Sequence, residues 1–492
     1  MRLDPLTTVR ATFVRTALPL AAVLALSACA GMNASQPQAA LLQAPVLGLS
    51  AGAVVTVPEQ WWREFGDAQL NRLIESALAS NPNLKVAQAR LARAQAGADI
   101  TGAAAQPQIG VGVDAMRQQF TATGMVPPPL AGAIYETGTA QFSGSWELDF
   151  FGRNRAALEA ALGVARAAQA DADAARMLLA SNVARSYFQL MRLNEQVQVA
   201  QRLLAQRVQT LDLVRQRVEA GLDTSLELRQ SEGGLPDARL QIETLQEQIT
   251  LGRNALAALL GQSSASLVLE IPAREAIRNM ALATQVPSDL LGRRADIAAA
   301  RWRVEAATQD VGLARAQFYP NINLVAFAGV SSIGLDRLLD AGSQQWGVGP
   351  ALRLPLFDGG RLRANLRGKV AELDGAIESY NAAVLDAVRE VTDQIASSQA
   401  ISRQQQSQRA AQASAESAYD IAVQRYEAGL GNLLQVLAAE TAVLNQRRLG
   451  VDLAARALDT QVALARALGG GYRAELPATS GMRCMDCGSG PQ

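Results

Sequence analysis

Histidine is absent from all 492 residues. That removes Ser-His-Asp and Cys-His arrangements, histidine general bases and His-ligated zinc, and leaves only carboxylate, Lys or Tyr chemistry for an enzyme. Cysteine is almost as scarce. Cys29 lies near the start and Cys484 and Cys487 near the end, so a disulfide framework is excluded. Aromatics make up 4% of the chain, and neither sign of charge is in surplus, with 45 basic and 45 acidic residues. A nucleic-acid binder carries a basic excess, so no nucleic-acid partner is expected. What the chain does have is Ala, Leu, Gln and Arg, with 49% hydrophobic residues overall, a composition that favours helix and argues against wholesale disorder.

Long apolar runs are also missing. Arg10 and Arg15 precede an apolar stretch, Ala17 to Ala28, that suits a signal-peptide core and falls far short of the roughly 20 residues of a spanning helix. It ends in LSAC, Leu26 to Cys29, which resembles the bacterial lipobox. The expectation is a signal peptide over 1–28 and a mature N-terminus at Cys29 carrying diacylglycerol and an acyl chain; an ordinary signal peptide with an incidental cysteine is the alternative. Ala30 follows, not the Asp that resembles an inner-membrane retention mark, which favours outer-membrane sorting. Residues 29–60 read as a lipid-anchored linker rich in Gln, Ala, Gly and Pro.

Beyond the linker the chain is duplicated. An Ala-rich helical stretch runs into Pro107 and two alternating segments, the second ending in WELDFFGRNR; a later one runs into Pro320 and two more, the last ending in LPLFDGGRLR. Each is followed by about seventy helical residues and then by RVEAGL (Arg217 to Leu222) or RYEAGL (Arg425 to Leu430), 208 residues apart. The repeats are placed at 61–261 and 289–469, with an equatorial segment at 262–288 and a tail at 470–492.

Alternation with period two puts residues on opposite faces of a sheet. Strands are expected at about 107–120, 137–151, 320–330 and 345–357. Ile109, Val111, Val113 and Ala115 form one apolar row; Ala140, Phe142, Trp146, Leu148 and Phe150 form another, with Gln141, Ser143, Ser145 and Glu147 opposite. Ile322, Leu324, Ala326, Ala328 and Val330, then Trp346, Val348, Pro350, Leu352, Leu354 and Leu356, repeat the pattern. Of 22 aromatics, 11 fall in residues 106–151 and 318–357, as the aromatic girdles of a transmembrane barrel require. A soluble sheet with one buried face shows the same alternation. In hydrocarbon, however, four strands cannot close a barrel and an open edge leaves unpaired backbone groups, so several chains must pool strands; three would give twelve.

The helices supply the rest. Gly152 to Gly221 spans 70 residues, roughly 105 Å as a helix. Val183, Tyr187, Leu190, Asn194, Val197, Gln201, Leu204, Val208, Leu211, Arg215 and Val218 step by fours and threes as a coiled-coil seam. The helices before the hairpins are expected over Asp67–Ala104 and Asp289–Gln317, and those after the turns over Thr224–Gly261 and Asn432–Gly469. EGGLPDAR, Glu232 to Arg239, predicts a kink in the first of these return helices. Acidic residues are scattered over helix faces, where solvated ion pairs are the ordinary explanation, so no enzyme is expected. A single CMDC without histidine cannot complete a zinc site within one chain, and its Gly- and Ser-rich surroundings predict a disordered tail open to a local disulfide, so neither metal nor cofactor is expected.

In combination, WWREFGDAQLNRLIESALASNPNL, SWELDFFGR, VPSDLLGRRADI, FYPNINL, PLFDGGRLR and the paired RVEAGL and RYEAGL resemble a known family over residues 55 to 472. It is that of the TolC-like outer-membrane efflux channel lipoproteins, the NodT-type exit ducts of resistance-nodulation-division pumps. The resemblance implies a membrane α+β fold: a homotrimer with four transmembrane strands per chain completing a twelve-stranded β-barrel, a long α-helical periplasmic barrel and a mixed equatorial belt. It also implies a passive duct docked to a periplasmic adaptor and an inner-membrane pump. Arg217, Gly221, Arg425 and Gly429 match the adaptor-contact tip turns, and Tyr426 and Glu227 match gate positions. Gln435 and Ala438 stand where acids are common in the second repeat, and Ala295 where relatives usually have proline. A periplasmic coiled-coil adaptor is the alternative class; it should carry one helical hairpin flanked by compact β domains, for which the duplicated pattern leaves no place.

Overall fold

The computed structural model describes residues 36–42, 57–272, 274–280 and 292–472, so Cys29, Cys484, Cys487 and the CMDC tail lie outside the described residues. In chain order the main elements are α1 (Ala68–Ser80), α2 (Pro82–Ala104), β1 (Gln108–Gln119), β2 (Ile134–Leu148), α3 (Arg153–Glu219), α4 (Ser225–Leu259), α5 (Ala295–Ala316), β3 (Asn321–Ile333), β4 (Gln344–Arg353), α6 (Arg361–Glu427) and α7 (Leu433–Ala467). The described residues divide between two compact units, one of 36–41, Ala92–Ala167 and Ala300–Tyr380, the other of 42, 57–91, 168–272, 274–280, 292–299 and 381–472.

The first unit holds an antiparallel sheet in the order β1-β2-β3-β4. Its register joins the four apolar rows across the strands: Ile109 lies opposite Gly144, Gly144 opposite Ala326, and Ala326 opposite Val348. One pair further along, Val111, Phe142, Ala328 and Trp346 form the next line. This continuous apolar face is open, with Ile109 79%, Val111 64% and Trp346 78% exposed. The opposite face carries polar ladders; the Thr139 and Ser331 hydroxyls lie 3.1 Å apart, and Gln345 Nε2 donates to Gln141 Oε1 at 3.1 Å across Gly329. Phe120 packs on Tyr135 at one end of the sheet and Phe151 stacks on Tyr319 at the other, with ring centroids 6.3 and 4.9 Å apart. Among the described residues no helix is long and apolar enough to cross a membrane.

Two strands end earlier than expected. The second runs Ile134–Leu148, not 137–151, because Asp149 turns from strand to helix cap: its carboxylate accepts the backbone N–H groups of Asn154 at 3.2 Å and Arg155 at 2.8 Å. Asp358 does the same for Gly360 at 2.9 Å and Leu362 at 2.8 Å. These bonds hold Asp358 below the usual carboxylate range, the Leu362 N–H being the largest contributor. The shared motifs DFFGR and FDGGR are therefore strand-to-helix caps. The fourth strand stops at Arg353, short of 357, just before Pro355, which has no N–H to give a ladder. The third extends past 330 to Ile333.

In the second unit the aromatics make the core. Trp61, Phe65, Tyr187 and Phe188 are buried, with Phe65 and Phe188 edge to face at 4.9 Å. Tyr187 donates its hydroxyl at 2.6 Å to Asp67, whose other oxygen caps α1 by accepting from Gln69 and Leu70. The single helix expected over Asp67–Ala104 is two, broken at Asn81, which is extended at ψ 124. Pro82 disfavours helical geometry in the residue before it and suits a first helical position. Asn81 turns this into a joint: its oxygen accepts from Asn83 N–H at 2.8 Å and its amide donates to Leu259 O at 2.8 Å.

The GRRADI stretch closes the same unit. Arg294 is buried, forks onto Asp296 at 3.0 and 2.7 Å, and reaches Glu390 at 2.9 Å and Ala467 O at 3.2 Å. Burial pulls its pKa down, but Asp296 and Glu390 outweigh it and leave it raised. One guanidinium thus ties the start of α5 to α6 and to the end of α7. Ala295 is the first residue of α5, a position equally open to proline.

The coiled-coil seam drifts. Val183, Tyr187, Leu190 and Leu211 are buried as expected, but Gln201, Val208 and Arg215 are exposed, and Ala200, Leu203 and Val214, each one residue before a seam position, are buried. The polar residues of α6 near SSQAISRQQQSQ bond to α7. Buried Gln408 donates to Gln446 O and to Gln412, both at 2.8 Å, and Arg447 holds Glu416 at 2.9 Å. Replacing Arg294 by Met leaves Glu390 with Arg466 alone, at 3.4 Å, and removes the donor to the Ala467 carbonyl; it is expected to cost about 3 kcal/mol, read as a lowered thermal midpoint of the helical signal.

Candidate functional site

The two reverse turns of the long helices are built alike. After α3, Leu222 N–H donates to Arg217 O at 2.8 Å and Gly221 N–H to Val218 O at 3.0 Å; after α6, Leu430 donates to Arg425 O at 2.7 Å and Gly429 to Tyr426 O at 3.0 Å. This is the Schellman pattern, with glycine at the left-handed position. Gly221 has φ 75 and Gly429 φ 72, and no atom would crowd a side chain at either. Any other residue would meet only the backbone penalty, about 1–2 kcal/mol.

Each following helix is capped by its own side chains. Thr224 Oγ1 accepts from Leu226 N–H at 3.2 Å while Glu227 accepts from Thr224 N–H at 3.0 Å and from the Thr224 hydroxyl, a capping box. The Thr224 hydroxyl is the main reason the Glu227 pKa is lowered. In the second repeat Asn432 Oδ1 accepts from Gln435 N–H at 3.0 Å, so a neutral Gln435 stands where the first repeat has an acid.

The repeats then part company. Tyr426 is buried among Val214, Leu433 and Val436, where the first repeat has Val218. Its hydroxyl donates to Asp223 of the other turn. Arg217 completes the cluster: Nε donates to Asp223 at 2.9 Å, Nη1 donates to Tyr426 O at 2.9 Å, and the guanidinium lies 4.6 Å from the ring centroid. Burial pushes the Asp223 pKa up, but the bonds from Arg217 and then Tyr426 outweigh it and hold it below the usual range. Burial and then the adjacent carboxylate push the Tyr426 phenol well up, and Asp223 raises Arg217. At neutral pH the cluster is therefore phenol, carboxylate and guanidinium.

Of the residues picked out in the sequence, the structure brings Arg217 and Tyr426 together. Gly221 and Gly429 shape the turns, Glu227 is engaged in its cap, and exposed Arg425 stays within its own turn, donating to Leu430 O at 3.0 Å. Asp223 was missed although it bridges the cluster. Overlaying the duplicated turns exposes it: Asp223 stands against Gly431 and Val218 against Tyr426, and these two departures from the repeat place the two residues that bond.

An open apolar-faced sheet and two helical hairpins with latched turns define a membrane channel with a helical body. The comparisons with known proteins agree. The sequence model described as outer membrane efflux protein matches residues 73–262 and 286–470, and the chain belongs to that family. It is 33% identical over 468 residues to the multidrug resistance outer membrane protein MdtQ of Escherichia coli O6:H1, covering 92% of this chain and 97% of the relative. It is also 33% identical to the pyoverdine export outer membrane protein OpmQ of Pseudomonas putida, covering 87% and 92%. The crystal structure of the outer membrane protein VceC from Vibrio cholerae superposes with a TM-score of 0.80 at 38% identity, covering 85% of this chain and all of that one. The chain is thus an outer-membrane efflux protein with the TolC-like fold of a helical body and a four-stranded β domain.

The latch predicts a coupling. In a cycle of Tyr426→Phe and Asp223→Asn, thermal unfolding should give an interaction of about 1.5 kcal/mol at neutral pH, as for a hydrogen bond to a charged group. A carboxylate with a lowered pKa contributes its stability above the ordinary carboxylate range and loses it as pH falls through the lowered value. The coupling should therefore persist from neutral pH down to that range and vanish only in stronger acid.

Proposed function

We propose that three copies of this chain close a twelve-stranded barrel and form the passive outer-membrane exit duct of a tripartite efflux system. A periplasmic adaptor and an inner-membrane resistance-nodulation-division pump deliver the cargo and the energy. The observation that carries this reading is the sheet, whose apolar face is open and whose outer strands β1 and β4 pair on one side only among the described residues. Strands of 12, 15, 13 and 10 residues are long enough to cross hydrocarbon. Free edges are intolerable there, and a threefold ring of two hairpins per chain removes them.

The paired turns are the adaptor contact. Leu222 and Leu430 sit at equivalent points of the two turns and are 65% and 69% exposed. Arg217, Gly221, Arg425 and Gly429 shape that surface, and the Arg217, Asp223 and Tyr426 cluster holds the gate shut, with Glu227 adding negative charge beside it. Cys29 carries the lipid, so the duct is both anchored and inserted. Two relatives named for multidrug resistance and for pyoverdine export are equally similar, at 33%, which supports a duct that takes whatever its pump delivers.

Cysteines placed at Leu222 and Leu430, in a background with Cys484 and Cys487 replaced by Ser, should cross-link in cells to an adaptor bound to an inner-membrane pump; capture of no inner-membrane partner would overturn the efflux assignment. Separately, Cys29→Ser should abolish fatty-acid labelling of the protein, and undiminished labelling would exclude the lipobox.

A further inference from the structure

Four side chains of α3 reach across to α7, joining the first repeat to the second. Arg185 meets Asp459 at 2.5 Å, Arg192 and Gln196 meet Asp452 at 2.8 and 2.6 Å, and Arg207 meets Glu440 at 3.0 Å. The Asp459 and Asp452 rungs are well exposed, with side-chain accessibilities of 42% and 45% on the acids. The rung nearest the turns is different, because the Glu440 side chain is only 4% exposed and that of Arg207 19%. Burial raises the Glu440 pKa, against the pull of Arg207. A buried carboxylate that loses its only cation is strongly destabilised, so this rung separates far less readily than those open to water.

Arg207 has a second task. Its Nη1 donates to Gly234 O in α4 at 2.6 Å. The helix runs unbroken from Ser225 to Leu259 over the GGLP sequence, so the expected interruption does not end it. Even so, Pro236 offers no N–H to the carbonyl of Glu232, and two glycines precede it, which makes this the most easily bent stretch of α4. Gly234 also makes room: a side chain there would begin 3.4 Å from Arg207 Cδ and 3.5 Å from its Nη1. The weakest point of the return helix and the most buried rung between the repeats lie at one level.

Towards the turns the repeats meet differently. Val214 meets Leu433 and Val436 through apolar contacts that allow sliding, with one hydrogen bond between the Thr210 and Tyr419 side chains, down to the latch of Arg217, Asp223 and Tyr426. We propose that Arg207 is a positioning residue for the gate: with Glu440 and the Gly234 carbonyl it forms a fixed pivot, below which the turns swing apart while α3 and α7 stay joined. The proposal rests on the turns being the gate.

Potassium chloride currents through planar bilayers test it, using the full-length channel with Arg217→Leu to release the latch and Cys484→Ser and Cys487→Ser to remove stray thiols. A short bifunctional thiol reagent joining Asp223→Cys to Tyr426→Cys should return the current to the closed level. The same reagent joining Arg207→Cys to Glu440→Cys should leave it at the open level, because that rung does not part. Closure by the second bridge would overturn the pivot alone; failure of the first bridge to close the channel would overturn the gate reading and the pivot with it. In the same background Gly233→Ala with Pro236→Ala, which stiffens α4 without touching Arg207, should lower the open current, and an unchanged current would count against α4 as the bending element. The conservative Arg207→Lys, which keeps the cation beside Glu440, should preserve the open level that Arg207→Leu alters.

Discussion

Backbone hydrogen bonding at the edges of one small sheet constrains everything else. Four strands with a continuous apolar face expose groups that water would not choose to meet, and their outer edges carry donors and acceptors that hydrocarbon cannot satisfy. A chain with this sheet is incomplete alone in either solvent. Closing the ring resolves both problems at once, since the apolar face meets lipid and each edge meets the edge of another copy. The long helices inherit the consequence: each hairpin of the ring leads directly into a helix start capped by Asp149 or Asp358, so the strand-to-helix passage is fixed by two carboxylates.

Duplication gives the chain its regularity, and departures from duplication give it a device. Both turns use the same Schellman geometry and a side-chain cap, which is enough for two equivalent helical hairpins. Equivalent hairpins would have no reason to hold one another. Tyr426 in place of a second valine, and Asp223 in place of a second glycine, make a bond between turns that neither repeat could form with a copy of itself. Arg217 then serves both, neutralising the carboxylate and lying over the ring. A buried phenol facing a carboxylate is costly unless the charge is paired, so the three residues stand or fall together.

Much of this was legible in the sequence because its signals are periodic. Alternation found the four strands and the faces they present, since a period of two survives any local adjustment. Strand ends were less legible: Asp149 has the same letter whether it extends a strand or caps a helix, and only the backbone direction decides. The Asn81–Pro82 break was visible as a dipeptide but outweighed by the helical composition around it. The seam reads as a strict heptad, whereas Ala200, Leu203 and Val214 are buried one residue ahead of it. Asp223 was lost for a different reason, because attention to what the repeats share passes over what they do not.

The placement of tight and loose contacts along α3 decides what kind of motion the helices allow. Ion pairs open to water exchange partners at little cost, so the outer rungs guide the register of α3 and α7 more than they lock it. A buried pair is different, because separating it leaves charge with neither water nor partner. Apolar contacts fall between these cases: they resist parting but allow sliding. Read along α3 towards the turn, the order is guided, locked, sliding and latched. That order leaves the turn end of α3 held to α6 and α7 by apolar packing and one small polar cluster, and the part beyond it by a buried ion pair.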